Sequence, residues 1–150
     1  MTVRVAEAHE AEEILRLTNA AYQVEKFFID ADRLDRKRLG ALLVKGVFLI
    51  TDDMAGCVYV ELRGERAYFG PLSVDPARQG SGTGKILIKA AEDYARAHGC
   101  RHMDLRIVNL RQELPAFYRK LGYAETGTEP FPETEVTKVD CHLICMSKKL

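Results

Sequence analysis

Apolar and polar positions alternate through TVRVAEA at the start of the chain. The period then changes, and Ile14, Leu17, Ala20 and Ala21 recur at the spacing of one helical face across EAEEILRLTNAAYQ. A strand leading into a helix therefore opens the predicted fold. The helical spacing returns over 32–44 through Leu34, Leu39 and Leu42, and the short apolar run VFLIT at 47–51 reads as a buried strand. Between the two helices, VEKFFIDAD carries two phenylalanines that neither period explains.

CVYVEL at 57–62 and AYFGPLSV at 67–74 are two strand patterns joined by RGER, which predicts a β-hairpin. Gly70 and Pro71 interrupt the second strand. Proline cannot donate to a ladder and glycine weakens one, so the pair predicts a bulge or a place where pairing with the next strand fails. From Gly84 to His98, Leu87, Ala90, Ala91, Tyr94 and Ala95 form one stripe that stops at Gly99. HMDLRIV at 102–108 alternates as a strand, and a helix from about Leu114 to Leu121 tolerates Pro115 in its first turn. YAETG then reads as a strand, TEPFPETEV as a Pro-rich loop and DCHLICMSK as a last strand. No repeat or linker interrupts this order, so one domain over 1–150 is expected.

Composition narrows the class. The chain has 150 residues, 47% apolar and 29% charged, with 22 basic against 22 acidic side chains. That length supports one buried core, and the charge balance lacks the basic excess of a nucleic-acid binder. No stretch approaches the ~20 apolar residues that span a bilayer, and acidic residues interrupt any secretory pattern at the N-terminus. Cys57, Cys100, Cys141 and Cys145 form no CxxC pair. A cytoplasmic protein with no membrane partner is expected. In the last strand pattern, Cys141 and Cys145 point to one face and His142 to the other, so no metal site is expected.

QGSGTGK at 79–85 invites a nucleotide-loop reading, which counting removes. A Walker loop requires a glycine where Gln79 stands and a hydroxyl where Ile86 follows Lys85, and a dinucleotide fingerprint requires a third glycine where Lys85 stands. What remains is a strand ending at Val74-Asp75-Pro76 that delivers a glycine-rich turn to a helix N-terminus, where unpaired amides and the helix dipole favour an anion.

The whole stretch LSVDPARQGSGTGKILI resembles the acyl-CoA motif of the GNAT superfamily of N-acetyltransferases, Q/R-x-x-G-x-G/A after a strand ending V-x-P. Gln79, Gly82 and Gly84 meet it after Val74 and Pro76. LPAFYRKLGYAETG at 114–127 resembles the family's second signature, with Tyr123 where phenylalanine is common. The resemblance implies a mixed α/β (α+β) fold: a mostly antiparallel sheet of six to seven strands, about four flanking helices, and a splay between the fourth and fifth strands. It also implies acetyl transfer from acetyl-CoA to an amine by direct attack in a ternary complex. A non-catalytic acyl-CoA sensor is the alternative.

By the same resemblance, the amides of Gln79, Gly80, Ser81, Gly82, Thr83, Gly84 and Lys85 would hold the pyrophosphate. Leu72, Ser73 and Val74 would take the pantetheine arm, and an amide near Leu72 or Val74 would polarise the thioester carbonyl. Asn109 would add a hydrogen bond to the arm. Tyr118, on the family's tyrosine, would protonate the departing thiolate, since a phenol with an ordinary pKa near ~10 can donate to it. Glu61, sharing a strand face with Tyr59, is the expected general base, with Glu25 as the alternative lining the acceptor pocket. Arg78, Lys85 and Lys89 are candidates for the 3′-phosphate. Glu25, Asp30, Asp32, Glu129, Glu133 and Glu135 tilt the expected acceptor, a small-molecule or peptide amine, toward a cation. A homodimer is expected by analogy with the family.

Overall fold

The computed structural model of the chain describes residues 2–150. Its backbone forms β1 (Val3–Val5), α1 (Ala11–Ala21), α2 (Arg36–Lys45), β2 (Gly46–Thr51), β3 (Gly56–Arg63) and β4 (Arg66–Val74). It continues with α3 (Thr83–Ala97), β5 (His102–Val108), α4 (Leu114–Lys120), β6 (Ala124–Pro130) and β7 (His142–Lys149). The strands make one seven-stranded sheet in the order β1-β2-β3-β4-β5-β7-β6, antiparallel except for β4 against β5. Among the described residues no helix is long and apolar enough to cross a membrane.

Two element boundaries differ from the periodicity. Leu34 stands ahead of α2, because Asp35 caps the helix by accepting from the Arg38 amide at 2.8 Å. Leu34 is buried nonetheless, its amide and carbonyl both engaged by the Asn19 side chain. The supposed loop TEP belongs to β6, whose pairing with β7 runs through Thr128↔Ile144 to Pro130↔His142. Proline is tolerated there because the strand is an edge.

Each sheet face buries one helix pair. Leu87, Ile88, Ala91 and Ala95 of α3 meet Val58, Phe69, Met103, Leu105 and Met146, together with Tyr118 and Tyr123. Ile14 and Leu17 of α1 and Leu39 of α2 cover Phe48, Ile50, Cys57 and Tyr59 on the other face. Truncating a fully buried leucine in either layer costs about 2–5 kcal/mol.

The seam between the two halves of the sheet is short. β4 and β5 pair only through Arg66↔His102, Ala67↔Met103 and Tyr68↔Asp104, with α3 as the crossover that parallel pairing requires. Arg66 clamps this end, its Nε 2.8 Å and its Nη2 2.6 Å from the two Asp104 carboxylate oxygens. Beyond Tyr68 the register against β3 shifts between Val58 and Val60, so Gly70 and Pro71 form a bulge where the β4–β5 ladder ends. The Tyr59 ring lies on Gly70, where a β-carbon would stand 3.0 Å from Cδ2.

Candidate active site

Where β4 leaves β5, the sheet opens into a cleft of about 1190 Å³. One end is backbone. Leu72 and Val74 line it along the unpaired edge of β4, and the turn 79–85 closes it at the N-terminus of α3. Gly80 and Gly82 are left-handed, with φ of 87° and 82°, a conformation that L side chains rarely adopt. The first backbone bond of α3 is from the Ile86 amide to the Gly82 carbonyl at 3.1 Å, so the amides ahead of it point onward without an intrahelical acceptor. Around Gly84 the space is open, the nearest atom to a built β-carbon being Val74 Cγ2 at 3.8 Å.

Tyr118 stands opposite, on α4. It is 5% exposed and packed among Phe117, Phe69 and Tyr123 at ring-centroid distances of 5.1, 6.0 and 5.9 Å. Tyr123 is itself held by its hydroxyl donating to Glu92 at 2.8 Å. Burial raises the Tyr118 phenol above its ordinary value, the nearby Tyr22 adds to this, and Arg111 opposes it.

The other end is made of charged side chains. After α1 the chain makes a 3-10 turn at Tyr22–Glu25 and then buries Phe28, which packs edge-on against Phe131 at 6.1 Å. An Ile29↔Thr137 bridge and the Lys138 amide on the Phe28 carbonyl, at 2.7 Å, join this segment to the loop before β7. The two phenylalanines without periodicity are thus an anchor, Phe28, and an exposed neighbour, Phe27. Inside, Arg111 bonds Glu25 and Glu113 at 3.1 Å each, with side-chain exposures of only 18% for Arg111 and 14% for Glu25. Burial raises the Glu25 carboxyl, and Arg33 and Arg111 pull it back only in part. The Arg33 guanidinium lies over the Tyr22 ring, 5.1 Å from its centroid.

The remaining sequence-derived candidates divide. Gln79, Gly80, Gly82, Thr83, Gly84, Lys85, Leu72, Val74 and Tyr118 all line the cleft, as does Glu25. Ser81 does not line it, its hydroxyl lying between the Arg78 carbonyl and the Thr83 hydroxyl at 2.9 Å from each. Ser73 turns its buried side chain to the opposite sheet face, in register with Cys57. Asn109 is outside the lining, its Oδ1 accepting from the His142 amide at 2.8 Å.

Glu61, the expected base, is also outside the lining. It ion-pairs with Arg63 and takes a hydrogen bond from Tyr59 at 2.8 Å. Burial pushes its carboxyl up, but these bonds outweigh burial and hold it below the usual range. Arg78 is spent on the Asp53 carbonyl and Lys89 on Asp93, which leaves Lys85 of the three cations facing the cleft without a carboxylate among the described residues.

Nor do the acids form an open cation trap. Asp30, Asp32, Glu129 and Glu135 pair with Lys138, Lys26, Arg106 and Arg38, and Glu25 with Arg111, while the exposed Glu133 lies outside the cleft lining. Sequence reasoning missed Tyr22, Arg33 and Arg111, because no local pattern distinguishes them from solvated residues.

Comparison with known proteins agrees with this architecture. The model of the acetyltransferase (GNAT) family matches residues 8–123. Streptothricin acetyltransferase of Streptomyces lavendulae is 30% identical over 79 residues, covering 51% of this chain and 42% of that one. Glucosamine 6-phosphate N-acetyltransferase 1 of Oryza sativa subsp. japonica is 29% identical over 112 residues, covering 67% of this chain and 66% of the relative. This chain thus matches less than two thirds of either relative's length. Among solved structures, the ribosomal-protein-S18-alanine N-acetyltransferase of Escherichia coli superposes with a TM-score of 0.81 at 17% identity, over 99% of this chain and 92% of that one. A GNAT family acetyltransferase from Elizabethkingia anophelis with acetyl-CoA bound gives 0.73 at 14% identity, over 99% and 97%. At such identities the structural likeness speaks for the fold alone.

Proposed function

The chain belongs to the GNAT acetyltransferase family, and we propose that it moves the acetyl group of acetyl-CoA to a primary amine by direct attack in a ternary complex. The observation that carries this reading is the continuous cleft from the unpaired β4 edge and the α3 N-terminus to Tyr118 and Glu25. Residues 1–150 act here as one acetyltransferase domain.

The backbone end fits the donor. Left-handed Gly80 and Gly82 and the open face of Gly84 make a cradle that a side chain would fill, and its amides suit a pyrophosphate. Lys85 adds a positive charge beside it. The edge of β4 at Leu72 and Val74 offers main-chain partners to the pantetheine arm and a donor toward the thioester oxygen as negative charge builds there. The cofactor supplies the activated acetyl group.

Two proton movements fall to side chains. Glu25 takes a proton from the acceptor's ammonium, which frees the nitrogen lone pair to form the new C–N bond. Tyr118 gives its proton to the sulfur as the C–S bond breaks, and it recovers one from solvent or from the amide nitrogen. Acetyl-CoA and the ammonium thus become the acetamide, coenzyme A thiol and one released proton. Burial keeps Tyr118 protonated across the neutral range, so it enters the step as a donor.

An amine panel with acetyl-CoA, read by free-thiol release, tests the reading. Thiol release with at least one amine supports it. Coenzyme A binding without release for any amine would make the chain a binding module.

A further inference from the structure

We propose that the acceptor is a primary amine that also carries an anionic group, a carboxylate or a phosphate, and that Arg33 is the residue that reads that group. This rests on the acetyl-transfer reading above and names the substrate class of the same cleft.

Charge pairing around the cleft carries the inference. Every acid lining it has a cation: Glu25 and Glu113 share Arg111, Glu135 holds Arg38 at 2.6 Å, and Asp32 holds Lys26 at 3.1 Å. Among the lining cations, Arg106 pairs with Glu129 at 3.0 Å. Arg33 and Lys85 alone have no carboxylate oxygen within 4.0 Å among the described residues. Lys85 stands at the N-terminus of α3, where the donor is proposed to bind. Arg33 is therefore the uncompensated charge of the acceptor end.

Its setting suits an anion. The exposed guanidinium has its Cζ 5.1 Å from the Tyr22 ring centroid, and its N–H groups make no hydrogen bond among the described residues. A planar fork of donors matches a carboxylate or a phosphate in two-point geometry. Arg33 also acts through space on Glu25, which takes the acceptor's ammonium in the proposed reaction. An acceptor with a positive nitrogen and a negative group close by satisfies both residues at once. A polycationic amine would instead bring a second positive charge against a guanidinium with no carboxylate oxygen within 4.0 Å among the described residues.

The test compares matched acceptors at saturating acetyl-CoA: glucosamine 6-phosphate against glucosamine, leucine against leucinamide, and spermidine as the polycation. The expected result is a kcat/KM preference of roughly 10- to 100-fold for the anionic member of at least one pair, the worth of one charged hydrogen-bonded contact. The pair that shows it distinguishes phosphate from carboxylate. Arg33→Gln should collapse the preference and Arg33→Glu should invert it toward spermidine, with the KM for acetyl-CoA and the melting temperature unmoved. A wild-type preference for spermidine or for the uncharged members overturns the proposal, as does an anionic preference that survives Arg33→Gln. If no amine releases thiol, the acetyl-transfer reading fails by itself. Calorimetric titration of the same pairs into protein saturated with coenzyme A then decides the role of Arg33, and equal binding of charged and uncharged members overturns it.

Discussion

The two ends of the cleft are built from different material: at the proposed donor end, main chain from the β4 edge and the glycine turn, and at the proposed acceptor end, side chains from three separated segments. Backbone recognition depends on conformation, and so on where glycines stand and where a ladder stops. Side-chain recognition depends on which charges remain after neighbours have paired. The first end tolerates substitutions that keep the main-chain path. The second changes character when a single ion pair is broken, because its lining acids are each balanced by one neighbouring cation.

The hardest test strikes where the ends meet. Tyr118→Phe keeps the packing with Phe69 and Tyr123 but removes the proton donor, so kcat should fall by about 10²-fold or more, while calorimetric affinity for coenzyme A stays within about twofold. Unchanged turnover across several pH values would remove the phenol from the mechanism.

At the acceptor end, Glu25→Gln should lower kcat/KM for the amine by roughly 10- to 100-fold. Because burial raises the Glu25 carboxyl, the acidic limb of the wild-type profile should lie above the ordinary carboxylate range. Below that raised value Glu25 is protonated and cannot accept, and activity returns as pH rises through it. The limb should vanish in Glu25→Gln. A limb that persists would assign the base elsewhere, whereas Glu61→Gln should leave the profile's shape intact because that carboxylate lies outside the cleft lining, against Arg63 and Tyr59.

The donor end is sharpened by two glycine substitutions with different effects. Gly84 is helical and has room for a β-carbon, and the motif admits alanine there, so Gly84→Ala should stabilise the fold by about 0.5–1 kcal/mol in thermal unfolding and leave the KM for acetyl-CoA within about twofold. Gly82 is left-handed, so Gly82→Ala should distort the turn and raise that KM roughly tenfold. An unchanged KM in Gly82→Ala would put the pyrophosphate seat elsewhere.

The smallest effect separates structure from binding. Asn109→Ala removes the bond to the His142 amide and should cost about 0.5–1.5 kcal/mol in denaturant unfolding, with no change in coenzyme A affinity. A loss of affinity at unchanged stability would restore Asn109 to the pantetheine arm.

The sequence by itself determined the strands and helices, the break at Gly70-Pro71 and the glycine turn, because each is written in spacing or in backbone chemistry within a few residues. The donor end was legible for that reason. Tertiary structure alone decided which candidates face the cleft. It turned Ser73 to the far face of β4, spent Asn109 on β7 and Glu61 on Arg63, and brought Arg111 to Glu25 across 86 positions of chain. Periodicity records which face of an element is buried, but it holds no record of which distant charge a side chain will meet. The acidic residues of the variable segments therefore read as a cation trap along the chain, and the fold paired all of them but the exposed Glu133, leaving Arg33 over Tyr22 as the acceptor-end cation without a carboxylate among the described residues.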